Sequence, residues 1–491
     1  MKKTPFSNTV FGVALVAVAA LCVQAGAAAA TDEARGAPAA KAMPAEKGKD
    51  ASAAKPADEA AGRERPSSVV SVLDFGAVGD GVADDTAAIQ RALNDTTAEV
   101  VFPAGTYRIT KTLFLGLPRP TNAYSYRRHF RGEGVDRSVL AWDGEPGGTL
   151  FWTRSMNHCK FTALTFHGMT DGKLREQRAA RIAWDDMARA DALIQFEFTG
   201  GGNMLNHFHS CRFAYAGAGL KFGTSENQST NSDILFSNIL AHNLKTFFWT
   251  TNNQAVDFTF EFLFAHDVGT LLRFERGGNL LVNSVQATDV GVLLQIEGGG
   301  RNCATFTLNN ARLEGSCGGA RNRYQLLKAS NIRWEQAIVN FTGFDDVLWA
   351  WQGSKGERRE LPLCEIGPGV HVAFQSSSFE GPVASVNGIE GKPASLIIRE
   401  STFGFLNPHE AVSANEFGRF KIVDSFTDHM ELYPDVVKWP ELPRMVIPMR
   451  RRHEAVIPEP MSVDQALEAN LSRRATWIES LKKQPQQGDV K

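Results

Sequence analysis

The sequence has little cysteine, almost no net charge and no long apolar run after its first thirty residues, and each shortage excludes something. Six cysteines serve 491 residues, and one of them, Cys22, lies in the N-terminal apolar run. The other five, Cys159, Cys211, Cys303, Cys317 and Cys364, form an odd and scattered set. That rules out a disulfide framework and leaves at least one thiol unpaired, so the fold must be stabilised by its core. Cys303 and Cys317 are near enough in sequence to pair, although buried small hydrophobes account for them more simply. A balance of 52 Lys+Arg against 54 Asp+Glu gives a formal −2, which supplies no whole-molecule attraction for a polyanion and speaks against nucleic acid as a partner. Beyond residues 11–23 nothing approaches the ~18 apolar residues of a membrane span, so no integral membrane segment is expected. Tyrosine is scarce too, at 6 against 32 Phe and 9 Trp, and aromatic mass of that kind is mostly core. With 43% hydrophobic and 22% charged residues, disorder throughout and a collagen-like repeat are also excluded.

What is present divides the chain into segments. Residues 1–30 read as a secretory signal: Lys2 and Lys3, an apolar run, then A-x-A cleavage sites between Ala25 and Ala30. The expectation is export, to the periplasm or outside the cell. Leu21 before Cys22 is too large for a good lipoprotein cleavage site. Residues 31–66, rich in Ala, Lys, Glu and Pro and without an aromatic residue, read as a flexible tether, because they bury too little apolar area to offset ordering. Folded sequence is expected over 67–430, followed by a Pro-rich extension over 431–491.

The most informative stretch is Ser71-Val-Leu-Asp-Phe-Gly-Ala-Val-Gly-Asp-Gly-Val-Ala-Asp-Asp85. Gly76, Gly79 and Gly81 permit positive φ in a winding loop. Asp84 or Asp85 then caps a helix that has Ala88, Ile89, Ala92 and Leu93 on one face. Next, Glu99-Val-Val-Phe-Pro-Ala-Gly-Thr-Tyr-Arg-Ile109 reads strand, tight turn, strand. The loop lacks the Gly-Lys-Ser/Thr ending of a P-loop and the spacing of a dinucleotide fingerprint. Its aspartates lack the twelve-residue spacing of a calcium loop.

D-F-G-A-V-G-D-G-x-x-D-D-T-A-A-I-Q followed by V-V-F-P-A-G-T-Y resembles the opening module of the pectate lyase/polygalacturonase-like superfamily, the rhamnogalacturonase/epimerase type of pectate lyase domain. The likeness runs from about residue 72 to 140. It implies an all-β fold, a single-stranded right-handed parallel β-helix with an N-terminal capping helix, and a polysaccharide, acidic in many relatives, as substrate. That grouping takes in polygalacturonase-like hydrolases, rhamnogalacturonan-active enzymes, uronate lyases and epimerases, and phage tailspike depolymerases.

A solenoid requires short apolar strands recurring every ~20 to 30 residues. Residues 204–222, 233–249, 256–274, 280–296 and 304–327 each show an alternating strand, a small polar turn and a second apolar strand. Aligning the turns puts Ala241-His242-Asn243 over Ala265-His266-Asp267 over Ala287-Thr288-Asp289, with steps of 24 and 22 residues between Asn243, Asp267 and Asp289. An all-β sandwich would show hairpin turns every 8–12 residues instead. Two insertions break the repeat. Residues 171–191 are charged, carry Lys173, Arg175, Arg178, Arg181 and Arg189, and read as a helical flap or a lid for an acidic polysaccharide. The second is the C-terminal part, where Ser462 and Gln465 make a capping box. It starts a C-terminal helix with Val463, Leu467, Leu471, Ile478 and Leu481 near one face, placed to cover the open end of the solenoid.

Adjacent coils stack ~4.8 Å apart, so equivalent turn residues form columns. Asn243, Asp267 and Asp289 make one, with His242, His266 and Thr288 beside it and Glu314 one alignment position before the next rung. Acids so spaced suit a glycosidase, and crowding raises the pKa of one of them as a general acid requires. The catalytic candidates are therefore Asp267, Asp289, Glu314 and His266. Arg273, Arg276, Arg301, His242, Asn243 and Trp249 are the candidates for holding substrate. The family's acids stand just before a Gly-Ile-x-Ile strand, where Asp267 and Asp289 also stand, yet Asn-Thr-Asp-Gly, Gly-His-Gly and Arg-Ile-Lys are missing, which sets this chain apart from polygalacturonase itself. The same column also reads as a turn ladder without chemistry. A lyase would draw its base and its charge-stabilising cation from Arg273, Arg276, Arg301, Arg312, His266 and Tyr215. His207 and His209 share one face of a strand, but two ligands do not make a metal site.

The expectation is a secreted carbohydrate-active enzyme of glycoside hydrolase type that needs no cofactor. A uronate lyase or epimerase, with Ca²⁺ entering if it is a lyase, and a non-catalytic glycan-binding or envelope-structural β-helix are the alternatives. A trimer is open by analogy with tailspikes, though nothing in the charge or the single C-terminal helix requires one.

Overall fold

A computed structural model describes residues 69–438, apart from 96–97, 116–124, 155, 198–201, 224–229, 298–303, 316–323, 330–335, 349–360, 405–410 and 428–435. The signal, the tether and the C-terminal helix expected from Ser462 lie outside the described residues. Among the described residues no helix is long and apolar enough to cross a membrane.

Successive coils pair in parallel, each strand on its counterpart one turn earlier. On one side the register runs Val69↔Glu99, Glu99↔His129, His129↔Lys160, Lys160↔His207 and His207↔Leu235. It continues Leu235↔Thr259, Thr259↔Leu281 and Leu281↔Thr307. The architecture is a right-handed parallel β-helix, the hand that parallel crossovers take almost without exception. Equal register brings like side chains over one another inside. Phe130, Phe161, Phe208, Phe236 and Phe260 form a buried file with ring centroids 4.8, 4.7, 5.3 and 4.5 Å apart. Cys159, Cys211 and Cys364 are buried and in no disulfide. Burial pushes the Cys211 thiol up to about 12. Cys303 and Cys317 lie outside the described residues.

The polar turns of the sequence contract to single residues. Strands His207–Phe222 and Asn231–Thr250 run through their corners without a break, far longer than the usual five or six residues. They bend at residues in the left-handed region, and at one corner of four consecutive coils these are Tyr215 (φ 59°), Asn243 (51°), Asp267 (55°) and Asp289 (54°). That conformation costs most L-residues about 1–2 kcal/mol, and Asn and Asp visit it because their short side chains bond locally. The Asn/Asp pattern in the sequence is therefore a pattern of corners.

At the N-terminal end, helix α1 (Thr86–Asn94) buries Ala88, Ile89, Ala92 and Leu93, as its spacing predicts. The two aspartates divide the work expected of either. Asp84 accepts the Thr86 N–H at 3.1 Å. Burial raises its carboxyl pKa, but hydroxyls of Thr86 and Thr110 hold it below the ordinary value on balance. Asp85, buried, makes no cap; it accepts the N–H groups of Val78 and Gly79 and so ties down the winding loop. Of the insertion at 171–191, only α2 (Asp171–Ala179) is α-helix, followed by a 3-10 turn at Trp184–Asp186. Arg181 adopts φ 54°, which ends helical geometry there.

Candidate active site

Six strands meet at the corner predicted from the turn alignment: β1 (Thr165–His167), β2 (His207–Phe222), β3 (Asn231–Thr250), β4 (Leu263–Phe274), β5 (Val285–Ile296) and β6 (Ala311–Gly315). Their register places His167, Ala214, His242, His266, Thr288 and Glu314 in one row. The left-handed residues Tyr215, Asn243, Asp267 and Asp289 form the row beside it.

Aromatic and imidazole rings line up along the first coils. The His167 and Tyr215 centroids are 4.6 Å apart, Tyr215 and His242 5.7 Å, and His242 and His266 5.3 Å. The flap adds Arg178, whose guanidinium lies over the Tyr215 ring and whose Nη2 is 3.5 Å from the phenol oxygen. Trp184 meets the same ring edge-on. Arg212 donates from Nη1 to Asp136 at 2.7 Å and from Nη2 to His242 Nδ1 at 3.0 Å. Burial first, then the charges of Arg212, His266, Arg178 and His167, hold the His242 pKa down at about 4. That ring is neutral at neutral pH. Burial likewise lowers the pKa of His167, whose Nδ1 meets the Met169 carbonyl.

Two coils on, the row turns anionic. Asp267 Oδ2 lies 3.0 Å from His266 Nδ1, and Asp289 Oδ2 lies 3.8 Å from Nε2. One imidazole thus stands between both carboxylates at ion-pair distance, with hydrogen-bond geometry at neither nitrogen. Glu314 follows in the row, paired with Arg312 at 2.7 Å. The corner carries cations at its N-terminal coils and acids at its C-terminal ones.

The structure brings together Asp267, Asp289, His266, His242, Asn243 and Glu314, and places the other candidates elsewhere. Arg273 pairs with Glu275 at 2.8 Å and Glu297 at 3.2 Å, six residues past the corner. Trp249 is clasped by Lys221 and Arg273, 4.7 and 4.8 Å from its ring on the preceding and following coils, so its faces are taken and it offers no sugar platform. Arg276, through its carbonyl, accepts the Thr250 hydroxyl beyond that strand, and Arg301 lies outside the described residues. His207 and His209 both bond the Ser237 hydroxyl, at 2.7 and 2.8 Å. Sequence reasoning missed Arg212 and His167. Tyr215 gives no Asn/Asp signal at its corner, so the turn of the 204–222 coil, with Arg212 three residues earlier, does not align with the turns at Asn243, Asp267 and Asp289.

Among the described residues, one group of three ligand-type side chains converges, His242, His266 and Asp267, with donor atoms within 4.8 Å of one another. Two nitrogens and one oxygen are not the oxygen cage calcium takes. The Arg212 guanidinium on His242 Nδ1 sets a fixed positive charge against any cation there.

Residues 69–261 match the family model described as Rhamnogalacturonase A/epimerase, pectate lyase-like, well past the stretch that carries the sequence signature. Over 141 residues, 26% of this chain, the sequence is 37% identical to mannuronan C5-epimerase AlgE2 of Azotobacter vinelandii, covering 14% of that protein. Over 249 residues, 44% of this chain, it is 28% identical to a probable glucan endo-1,3-beta-glucosidase of Arthroderma benhamiae, covering 27% of it. The chain thus spans well under a third of either relative. The tailspike gp42 of Acinetobacter phage vb_AbaP_AS12 superposes with a TM-score of 0.50 at 11% identity, over 77% of this chain and 65% of that one, which shows the shared fold.

Proposed function

We propose, from the match of residues 69–261 to a pectate lyase-like family model, a carbohydrate-active enzyme that hydrolyses glycosidic bonds of a polysaccharide at the corner row. The observation that carries this reading is the single imidazole, His266, set between Asp267 and Asp289 at 3.0 and 3.8 Å. Of the two acids, one protonates the leaving oxygen and the other takes a proton from the attacking water. After one turnover the acid has lost its proton and the base has gained one. His266, standing between the two, is placed to carry the proton back as these contacts tighten around substrate. That return is needed only when acid and base are different groups, so the reading expects inversion at the anomeric carbon. No cofactor takes part. Residues 1–30 support export to the periplasm or beyond as the place of action.

A second reading rests on the other end of the row. Arg178 donates to the Tyr215 hydroxyl at 3.5 Å, and a phenol oxygen beside a cation suits proton abstraction next to a uronate carboxylate, hence a lyase or epimerase. Incubation with a panel of neutral and acidic polysaccharides, with and without EDTA, separates the readings. Hydrolysis gives reducing ends without ultraviolet absorbance. Lysis gives an unsaturated, absorbing product, and epimerisation gives neither but alters the sugar composition. Binding without any product points to a non-catalytic glycan-binding solenoid.

A further inference from the structure

The flap is an insertion in the corner column itself. That column runs Tyr215, Asn243, Asp267 and Asp289 on four consecutive coils. One coil earlier, after His167, the chain leaves at Gly168 and returns at Ala190, whose N–H donates to the Gly168 carbonyl at 2.8 Å. Where each later coil has one left-handed residue, this coil carries the whole flap. From that base it leans toward the acids. Arg178 and Trp184 meet the Tyr215 ring, and Lys245 on the Asn243 coil holds Asp185, with Nζ 3.2 Å from its carboxylate and 3.2 Å from its carbonyl oxygen. There it stops. Two residues past the corner, Gly217 donates its N–H to the Ala190 carbonyl at 3.0 Å and Lys245 holds Asp185, so both early coils bond the flap. The same place on the next two coils is glycine, Gly269 and Gly291. Those coils bear Asp267 and Asp289, and the ledge beside the acids is bare backbone. Asp267 stands one coil beyond Lys245's coil and Asp289 two, ~5 and ~10 Å at the ordinary strand spacing. A sugar unit in a chain advances by about one coil, so one or two units fill the space between the flap and the acids.

The closed end has a chemistry of its own. Arg178 is exposed, donates to the Tyr215 hydroxyl at 3.5 Å, and has no carboxylate at ion-pair distance among the described residues. Its neighbours Asp185 and Asp191 are taken by Lys245 and Lys221, and Arg212 is paired with Asp136. Burial keeps His242 neutral. The uncompensated charge at this end is therefore the Arg178 guanidinium, whose planar fork matches a carboxylate. We propose that the flap makes the corner row blind-ended, so that the protein works on the ends of polysaccharide chains and removes one or two sugar units at a time, with Arg178 holding the carboxylate of a terminal uronate beside the Tyr215 and Trp184 rings. For the cut this rests on the hydrolysis reading above; the blind end does not depend on which reaction follows.

Binding stoichiometry reads the blind end without turnover. Long, size-fractionated chains of polygalacturonate, polymannuronate and polyglucuronate are titrated with full-length Asp267→Asn protein and followed by sedimentation. One protein per chain is expected, whatever the chain length. Several proteins per chain, rising with length, overturn the proposal, and so does failure to bind all three polymers. With the unaltered protein, reducing ends are expected to accumulate as mono- and disaccharide while viscosity hardly changes; a rapid fall in viscosity with mid-length products overturns chain-end action. One protein per chain with no cleavage leaves the blind end standing and removes the hydrolysis reading alone. Replacing residues 169–189 by Asn-Gly, across the gap that the Ala190 to Gly168 hydrogen bond already closes, is expected to open the row to several proteins per chain and to internal cuts. If that variant does not fold, Asp185→Lys sets like charges against Lys245, lifts the flap from the row, and is expected to lengthen the products. Unchanged stoichiometry and products in the folded variant overturn the wall. Arg178→Gln is expected to weaken polyuronate binding and raise KM roughly tenfold or more with a smaller change in kcat; unchanged affinity overturns the part given to Arg178.

Discussion

Asp267 and Asp289 occupy a backbone conformation that selects for Asp, Asn and Gly, and Asn243 fills the same corner one coil earlier. Geometry and chemistry are therefore separable at these positions. Asp267→Asn and Asp289→Asn are expected to keep stability within about 0.5 kcal/mol while lowering turnover roughly 100-fold or more, measured by thermal melts and reducing-end release on the same samples. Asp267→Val, β-branched in a left-handed corner, is expected instead to cost about 1–2 kcal/mol. Two residues past Asp267, Gly269 comes so close to the coil below that an added Cβ would stand 2.6 Å from the Lys245 carbonyl oxygen. Gly269→Ala must displace the corner, at a cost of about 1–3 kcal/mol in urea denaturation, with activity falling alongside. The sequence showed Asp267, Asp289 and His266 because they repeat. It did not show Arg212, which hydrogen-bonds a histidine one coil away and belongs to a coil whose corner residue is tyrosine.

Elements in this fold owe their stability to the element above and below. The file Phe161, Phe208, Phe236 stacks with interplanar angles of 5° and 16°, and each ring fills the space left by its neighbours. Phe208→Ala removes the middle of that file and is expected to cost about 3–5 kcal/mol in chemical denaturation. Strand positions were readable because burial alternates along each coil and recurs at the same step. Turn shape was less readable: two or three polar residues in sequence become one left-handed residue in space, and the flanking strands fuse through it. The flap shows the opposite failing. Its charge and alanine content suggest a helix across the whole of 171–191, whereas Arg181 leaves helical geometry and the rest packs through side chains, Arg189 over the Trp184 ring at 4.1 Å and Gln177 onto the Ala188 backbone.

At the scale of the whole molecule, five imidazoles among the described residues are held toward their neutral form by burial. His129, His167, His207, His242 and His371 all have lowered pKa values, with burial the first cause in each. A histidine depressed in the folded state binds its proton more readily when unfolded, so stability is full above the ordinary value near 6.5 and is lost as pH falls toward the folded value, about 4 for His242. The lowered carboxyls of Asp84 and Asp143 stay charged through that window and do not offset the loss. Melting temperature is expected to fall steadily from pH 7 to pH 4; a flat profile would show that these rings are not buried neutral. The coil repeat and the N-terminal signature together made the architecture legible, because a stack of like units writes its period into the sequence. The charge gradient along the corner was not, since it arises from side chains on separate coils and from a flap outside the repeat.

The most direct measurement is reducing-end release from a polysaccharide that the unaltered protein cleaves, compared across Asp267→Asn, Asp289→Asn and His266→Gln, with the anomeric configuration of the first product followed by NMR. The account predicts that all three variants remain folded and lose most of their turnover, and that the unaltered protein inverts the anomeric centre. Full activity in Asp267→Asn and Asp289→Asn would contradict it.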